Sequence, residues 1–312
     1  MYCLMDMGTT NARVWLYDGE KLLAERQGAC GASFSKIHGQ AALYAQVRTL
    51  LLTLLEDAAV SEDRLQYVLA SGMAGSEIGI CEIPHLPIPA DADTLARHIE
   101  TRRIPEIVSA PILFVPGLKM LENGTVCDMM RGEETETVGI LAALAPTDET
   151  VLLLPGTHNK LLSIDQGGTI TSCHSTLSGE LLDTVLRHTI LAGQVDHRFT
   201  LSPPHVLLGA EISLRDGLTA ALFQVRVTAR NGGSVDACSS LLYGAVLGQD
   251  IPLIHRLAKD RRIYVGGRDH LQRVYTLLLE AEGILHEPLP REIADRAVCR
   301  GLIRLLRKYQ AQ

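Results

Sequence analysis

Aromatic residues are scarce, with four Phe and one Trp among 312 residues. Any core must therefore be filled by Leu, Val, Ile and Ala. Positive charge is also in short supply. The formal net charge is -7, whereas a nucleic-acid or anionic-membrane surface needs clustered Lys and Arg. The one basic cluster, Arg304, Arg307 and Lys308, reads as a solvated helix end that complements the helix dipole. The seven cysteines (Cys3, Cys30, Cys81, Cys127, Cys173, Cys238, Cys299) form no C-x-x-C pair and no metal-ligand spacing, a pattern that suits a reducing cytoplasm. No basic stretch followed by an apolar one opens the chain, and Asp6 interrupts the first apolar run, so neither a signal peptide nor an anchor is expected. Runs such as Leu50 to Leu55 are too short to span a bilayer.

What is present suits two compact cores. Hydrophobic residues make up 46% and charged residues 21%, and this length favours two domains of roughly 150 residues each. No Gly/Ser-rich linker separates the halves, so the joint is expected to be packed. The domains are expected at 1–146 and 147–289, with the closing segment 290–312 returning to the first.

The most informative feature is an internal echo. Gly8-Thr9-Thr10-Asn11 recurs as Gly156-Thr157-His158-Asn159 at an offset of 148 residues. Each copy follows an apolar strand (Tyr2 to Met5; Val151 to Leu154) and enters a second apolar stretch (Val14 to Tyr17; Leu161 to Ile164). Each then meets a hairpin signal, Asp18-Gly19 or Gly167-Gly168. Two strand-turn-strand units half a chain apart suggest two related lobes.

Between and after the copies, helical spacing is read over Gly39 to Ala58, Glu133 to Leu144, Glu180 to Leu191, Leu241 to Leu257 and Leu271 to Glu282. A single amphipathic helix is read over Pro290 to Tyr309. Strands are read at Gln66 to Ala70, Pro111 to Val115 and Ile263 to Val265, each closed by a Gly-containing turn.

A glycine at a strand end lets backbone approach a ligand, and neighbouring N–H groups and Thr hydroxyls can donate to anionic oxygens. A lone Gly-Thr turn is equally an ordinary hairpin; two equivalent loops facing one another would grip a polyphosphate. Asp6 ends an otherwise apolar strand and needs either a cation such as Mg²⁺ or donors from its own turn. Lys160 and Arg13 follow the two loops, where they could neutralise a transferring phosphoryl group or lie on a strand surface. The segment Met130-Arg131-Gly132-Glu133-Glu134-Thr135-Glu136 places three carboxylates and an Arg at a helix start. Acidic residues there complement the dipole. One of them could instead accept the proton of a sugar hydroxyl, with Arg as bidentate partner for a substrate carboxylate.

The two Gly-Thr hairpins with Asp6 before the first resemble the phosphate motifs of the sugar kinase, Hsp70 and actin superfamily. Ile263-Tyr264-Val265-Gly266-Gly267 resembles its adenosine motif. The implied fold is α/β, two-lobed and actin-like (ribonuclease H-like), with a nucleotide cleft between the lobes. More narrowly, the chain resembles the 2-dehydro-3-deoxygalactonokinases through D-M-G-T-T-N-A-R (Asp6 to Arg13), G-M-A-G-S (Gly72 to Ser76), M-R-G-E-E-T (Met130 to Thr135), P-G-T-H-N-K (Pro155 to Lys160), S-G-E-L (Ser178 to Leu181) and F-Q-V-R (Phe223 to Arg226).

The resemblance implies ATP- and Mg²⁺-dependent phosphorylation of the 6-hydroxyl of 2-dehydro-3-deoxy-D-galactonate, a step of galactonate catabolism. By similarity Asp6 organises the metal, and Gly8, Thr9, Thr10, Asn11, Gly156, Thr157, His158 and Lys160 cradle phosphates. Gly266 and Gly267 admit the adenosine. Gly132-Glu133 stands where the superfamily's carbohydrate kinases carry a Gly-Asp pair, which makes Glu133 the expected base and Glu134 the second candidate. Arg13, Gly72, Met73, Ala74, Ser76, Arg131 and Glu180 are the expected acceptor contacts. Met7, Asn159, Leu161 and Ala294 depart from the family's usual Trp, Cys or Ser, Trp and Gly. They keep a kinase for another 2-keto-3-deoxy sugar acid as an alternative, ahead of a non-kinase actin-like ATPase. The expected partner is a small sugar acid, with no nucleic acid and no membrane; a homodimer stays open.

Overall fold

The computed structural model describes residues 1–267 and 269–312. The chain divides into two compact units. The first comprises Met1–Pro146, Gly168–Ser172 and Arg291–Gln312; the second comprises Thr147–Gly167 and Cys173–Pro290.

The first unit holds β1 (Tyr2–Met7), β2 (Ala12–Asp18), β3 (Lys21–Gly28), β4 (Val68–Gly72), β5 (Leu86–Pro87), β6 (Glu100–Arg102), β7 (Ile112–Phe114), β8 (Leu118–Glu122) and β9 (Thr125–Met130). The other strands are β10 (Thr150–Leu154), β11 (Asn159–Ile164), β12 (Ile170–Thr176), β13 (Arg262–Val265) and β14 (His286–Pro288). Six strands form a sheet in the order β3-β2-β1-β4-β7-β6, and five form a second in the order β12-β11-β10-β13-β14. β5, β8 and β9 form a small third sheet that no sequence pattern announced.

The two large sheets share one plan. A meander of antiparallel strands (β1-β2-β3; β10-β11-β12) is followed, after helical sequence, by a strand parallel to the first (β4 on β1; β13 on β10). A parallel return needs a long crossover, and the intervening segments supply it. β4, β10 and β11 are buried along their whole lengths, as expected of strands covered on both faces.

Each unit has its own apolar core. In the first, Leu4, Met5, Leu16, Leu43, Leu51, Leu54 and Phe114 are nearly or fully buried; in the second, Leu152, Leu241, Tyr243, Val274 and Tyr275 are. The helix Gln40–Asp57 buries one stripe of Leu and Val, which agrees with its spacing. Glu133–Leu144 is helical to the residue where expected.

Two helix expectations need correction. The helix read over Leu241 to Leu257 begins earlier, at Val235, and is interrupted by a 3-10 turn at Gly248–Asp250 before Ile251–Ala258. Pro252 and Gly248 explain the break, because one lacks an N–H and the other favours a tighter turn. The single helix read over Pro290 to Tyr309 is two pieces, Arg291–Ala294 and Ala297–Gln310. Helices Pro203–Asp216 and Leu218–Arg230 went unread, although Gly217 punctuates them as a C-cap with φ 93°. The stretch Val235–Ala258 is long and apolar enough to cross a membrane by composition, but 83% of its most apolar window is buried.

Helix Ala297–Gln310 returns to the first unit and packs on helix Glu133–Leu144 through two glycines. A Cβ at Gly139 would lie 1.8 Å from the Ala297 carbonyl oxygen, and one at Gly301 2.0 Å from that of Thr135. Backbone therefore meets backbone at this crossing, which sets the axis of the helix that presents Glu133. Arg307 pairs with Glu20 at 2.6 Å and Lys308 with Asp93 at 2.6 Å, while Arg304 and Arg307 stay exposed, so the basic cluster is a solvated helix end carrying surface ion pairs.

Because overpacking costs about 1–3 kcal/mol or more, Gly139→Ala is expected to lower the urea midpoint of unfolding. An unchanged midpoint would show that the crossing tolerates a methyl group.

Candidate active site

In the first unit the loop Gly8–Asn11 is exposed, and its carbonyls are tied down. Ala32 N–H donates to the Gly8 oxygen at 3.0 Å, Ser33 N–H to that of Thr9 at 2.8 Å and Gly31 N–H to that of Thr10 at 2.9 Å. In a trans peptide the C=O and the next N–H point in opposite directions. The N–H groups of Thr9, Thr10 and Asn11 therefore face away from segment 31–33, toward the exposed side. Such successive N–H groups make an anion-binding concavity. Gly8 itself does not contribute, because its N–H donates to the Asn11 carbonyl at 2.8 Å.

The second unit repeats the device. Glu180 N–H donates to the Thr157 carbonyl at 2.8 Å, and Gly179 covers the Gly156 carbonyl so closely that a Cβ there would lie 1.8 Å from it. The N–H groups of Thr157 and His158 accordingly turn outward. The Gly156 N–H is taken by the Asn159 side-chain Oδ1 at 3.1 Å. Gly31 and Gly179 stand at the same 148-residue offset as the loops themselves. The sequence reading missed Gly31, which the offset could have found. Gly266 and Gly267 adjoin this loop: a Cβ at Gly267 would come within 3.0 Å of the Pro155 oxygen. Lys160 is buried on β11, with Nζ donating to Ser175 Oγ at 2.5 Å.

The carboxylates of the first unit gather around glycines. Gly72, with φ 70°, presses on β1: a Cβ there would be 2.5 Å from the Met7 oxygen and 3.3 Å from Asp6 Oδ1. Gly132, with φ 110°, packs in turn against Gly72: a Cβ at Gly132 would lie 3.2 Å from the Gly72 Cα. The start of helix Glu133–Leu144 is thereby brought beside Asp6. Asp6 is paired across β1 and β2 with Arg13, whose Nη2 and Nε donate to Oδ2 at 2.7 and 3.2 Å. Arg13 also lies over the Trp15 ring at 5.6 Å. The partner of Asp6 is thus an arginine rather than its own turn.

Three carboxylates of one helix turn have separate surroundings. Glu133 is half-buried and accepts the Arg131 N–H through Oε2 at 3.1 Å. Glu134 is fully buried, with both oxygens on the Gly132 N–H at 2.9 and 2.8 Å; burial, then the charge of Glu133, pushes its carboxyl up to about 8. Glu136, which the sequence reading did not select, has its carboxyl pushed up to about 7 by burial and by the charges of Glu133 and Asp6. Its acidity marks it as a neighbour of this cluster. The signal was its position three residues after Glu133, on the same helix face.

The predicted acceptor contacts separate. Gly72, Met73, Ala74 and Ser76 form the turn after β4. Arg131 buttresses that turn: its Nη2 donates to the Ile83 carbonyl at 2.6 Å and meets His85 Nδ1 at 3.1 Å, while a Cβ at Gly75 would lie 2.8 Å from Nη1. Burial and the Arg131 charge hold His85 down to about 4, so it is neutral. Glu180 belongs to the second unit and pairs with His158 at 3.0 Å.

Among the described residues no three His, Cys, Asp or Glu gather as a metal cage. Mg²⁺ needs none, since it takes one or two carboxylates and fills its shell with water and phosphate. Asp6 fits that pattern, because Arg13 engages Oδ2 and leaves Oδ1 facing the bare backbone of Gly72.

Comparison with known proteins agrees with these motifs. Residues 6–305 match the family model of 2-keto-3-deoxy-galactonokinase. The 2-dehydro-3-deoxygalactonokinase of Escherichia coli K12 is 29% identical over 252 residues, 80% of this chain and 79% of that protein. A Rhizobium meliloti protein provisionally given the same name is 29% identical over 311 residues, 96% and 95% of the two chains. The crystal structure of a Sinorhizobium meliloti protein, also provisionally named so, superposes with a TM-score of 0.81 at 27% identity, covering 98% of each chain. The activator of 2-hydroxyisocaproyl-CoA dehydratase from Clostridium difficile, solved with bound ADPNP, gives a TM-score of 0.51 at 10% identity over 99% and 96% of the chains. That likeness extends to the α/β fold alone.

The raised Glu134 carboxyl carries a sign. The folded state holds this proton more tightly than an unfolded chain with an ordinary value of 4.5. Its contribution to stability is full below that value and is lost as pH rises through about 8. Glu134→Gln is expected to flatten the fall of unfolding free energy between about pH 4.5 and 8 by an amount on the order of a few kcal/mol. Urea titrations at several pH values measure it; parallel slopes in the two proteins would mean Glu134 is ionised when folded.

Proposed function

The chain belongs to the 2-keto-3-deoxy-galactonokinase family, and we propose that it transfers the γ-phosphoryl group of ATP to the 6-hydroxyl of 2-dehydro-3-deoxy-D-galactonate. The observation that carries this reading is the pair of loops at Gly8–Asn11 and Gly156–Lys160, in which tied carbonyls turn the N–H groups of Thr9, Thr10, Asn11, Thr157 and His158 outward. Phosphoryl transfer asks a protein mainly for positioning and for stabilisation of spreading negative charge. Outward N–H groups suit that demand.

In this reading Thr9, Thr10 and Asn11 donate to phosphate oxygens in one unit, and Thr157 and His158 in the other. Gly8 and Gly156 shape the turns, and Lys160 stiffens the second from β11. Gly266 and Gly267 leave space beside Pro155 for the nucleoside. Asp6 holds Mg²⁺, which when bound neutralises phosphate charge. Glu133, which is part-buried and not locked on the Gly132 N–H as Glu134 is, accepts the proton of the attacking hydroxyl. Glu134 fixes the Gly132 turn behind it. Arg131 steadies the Gly72–Ser76 turn from behind, and Arg13, Gly72, Met73, Ala74, Ser76 and Glu180 serve the acceptor. The scattered cysteines, with no C-x-x-C pair among them, accord with a reducing cytoplasm.

Coupled measurement of ADP release over a panel of 2-keto-3-deoxy sugar acids tests the assignment. Turnover is expected with the galactonate derivative, and none with that acid would remove it. Glu133→Gln is expected to lower kcat by about 10²- to 10⁴-fold with KM for ATP held; unchanged kcat would move the base elsewhere. Asp6→Ala is expected to raise KM for Mg-ATP, and an unaltered metal dependence would remove Asp6 from the metal.

A further inference from the structure

Behind the Gly156–Lys160 loop lies a buried polar cluster that the motifs do not account for. Asp250 is 3% exposed, yet its carboxylate is surrounded by neutral donors. Ser178 Oγ donates to Oδ1 at 2.8 Å, while Thr176 Oγ1 and Asn159 Nδ2 donate to Oδ2 at 3.1 and 3.0 Å. The Tyr275 hydroxyl also donates to Oδ2 and accepts from Asn159 Nδ2 at 2.6 Å. Tyr275 and Asn159 are both fully buried. A buried carboxylate is costly unless its lone pairs are filled, and here four side chains fill them.

The connections converge on the loop. Asn159 has one orientation consistent with its neighbours, since Oδ1 must accept the Gly156 N–H and Nδ2 must face Asp250. Thr176 and Ser178 lie immediately before Gly179, which covers the Gly156 carbonyl, and Glu180, whose N–H holds that of Thr157. One carboxylate thus ties down both the side chain that shapes the turn and the segment that covers its carbonyls. Tyr275 joins it from helix Asp269–Ala281.

We propose that Asp250, acting through Asn159 and Ser178 and braced by Tyr275, is the positioning residue that holds the Gly156–Lys160 loop with its N–H groups outward for ATP phosphate. The inference rests on the kinase reading above. It gives Asn159 a role at both ends of its amide, Oδ1 on the Gly156 N–H and Nδ2 on Asp250.

Three variants of the full-length chain, Asp250→Asn, Tyr275→Phe and Asn159→Ala, test it with two readouts. Hydrogen exchange of the peptide spanning 155–160, followed by mass spectrometry, reports the Gly156 N–H without needing turnover. Steady-state kinetics separates KM for ATP from KM for the sugar acid. Asp250→Asn and Asn159→Ala are expected to speed exchange in that peptide and to raise KM for ATP about tenfold or more, with KM for the acid within about twofold. Tyr275→Phe, which removes one hydroxyl and leaves the carboxylate, is expected to give a smaller change in the same direction and carries the test where Asp250→Asn does not fold. Unaltered exchange, faster exchange with unaltered KM for ATP, or equal rises in both KM values would each overturn the proposal. Absence of turnover by the unmodified protein would instead remove the kinase reading, leaving the exchange experiment to decide whether Asp250 shapes the loop.

Discussion

No side chain can stand at position 72. The backbone of Gly72 lies so close to that of Met7 that a Cβ would sit 2.5 Å from a carbonyl oxygen, and Gly132 presses on it from the other side. This stack of bare backbone brings the end of β1, the turn after β4 and the start of helix Glu133–Leu144 within contact of one another. With larger residues these elements would stand farther apart, and Asp6 and Glu133 would belong to separate surfaces. The glycine pair at Gly139 and Gly301 performs the same service farther along that helix, where it fixes the axis. Close approach, bought with conformational entropy in the unfolded chain, is the condition under which the carboxylates become a site.

Their crowding has an electrostatic consequence. Burial first, and then the charges of Glu133 and Asp6, hold Glu136 toward its neutral form, while Arg13 is the cation paired with Asp6. A polyphosphate approaching such a cluster meets like charge, and desolvation would sharpen the repulsion. Positive charge must come from somewhere for binding to succeed. The outward parts of both loops, by contrast, are N–H dipoles without carboxylates of their own.

Much of this was legible in the sequence. The echo of Gly8–Asn11 in Gly156–Asn159 announced two related units, and the sheets indeed run β3-β2-β1-β4-β7 and β12-β11-β10-β13-β14. Short strings sufficed because a tight turn at a strand end tolerates few residues. Other elements were hidden for physical reasons. The sheet of β5, β8 and β9 is built from short strands with much of β9 exposed, so no alternation stands out. The break at Gly248–Asp250 had its signals in Gly248, the polar pair Gln249-Asp250 and Pro252, which the spacing of the apolar residues on either side passes over. Asp250 could not have been connected to Asn159, 91 residues away, by any local pattern; only the fold brings them to 3.0 Å. Gly31 shows the opposite case, a residue the 148-residue offset already pointed to and whose role became clear once the carbonyls of the first loop had partners.

The two loops reach the same end by different means, which bears on how each can change. In the first, the glycine N–H is satisfied by the Asn11 backbone carbonyl, so the Asn11 side chain is spared from holding the turn. In the second, the equivalent N–H depends on the Asn159 side chain, and that side chain depends on Asp250, Tyr275 and the segment around Ser178. A turn closed by backbone is insensitive to its neighbours' identities. One closed by a side chain inherits every constraint on that side chain. The second loop is therefore the more exacting of the pair, although the sequence presents them as near copies.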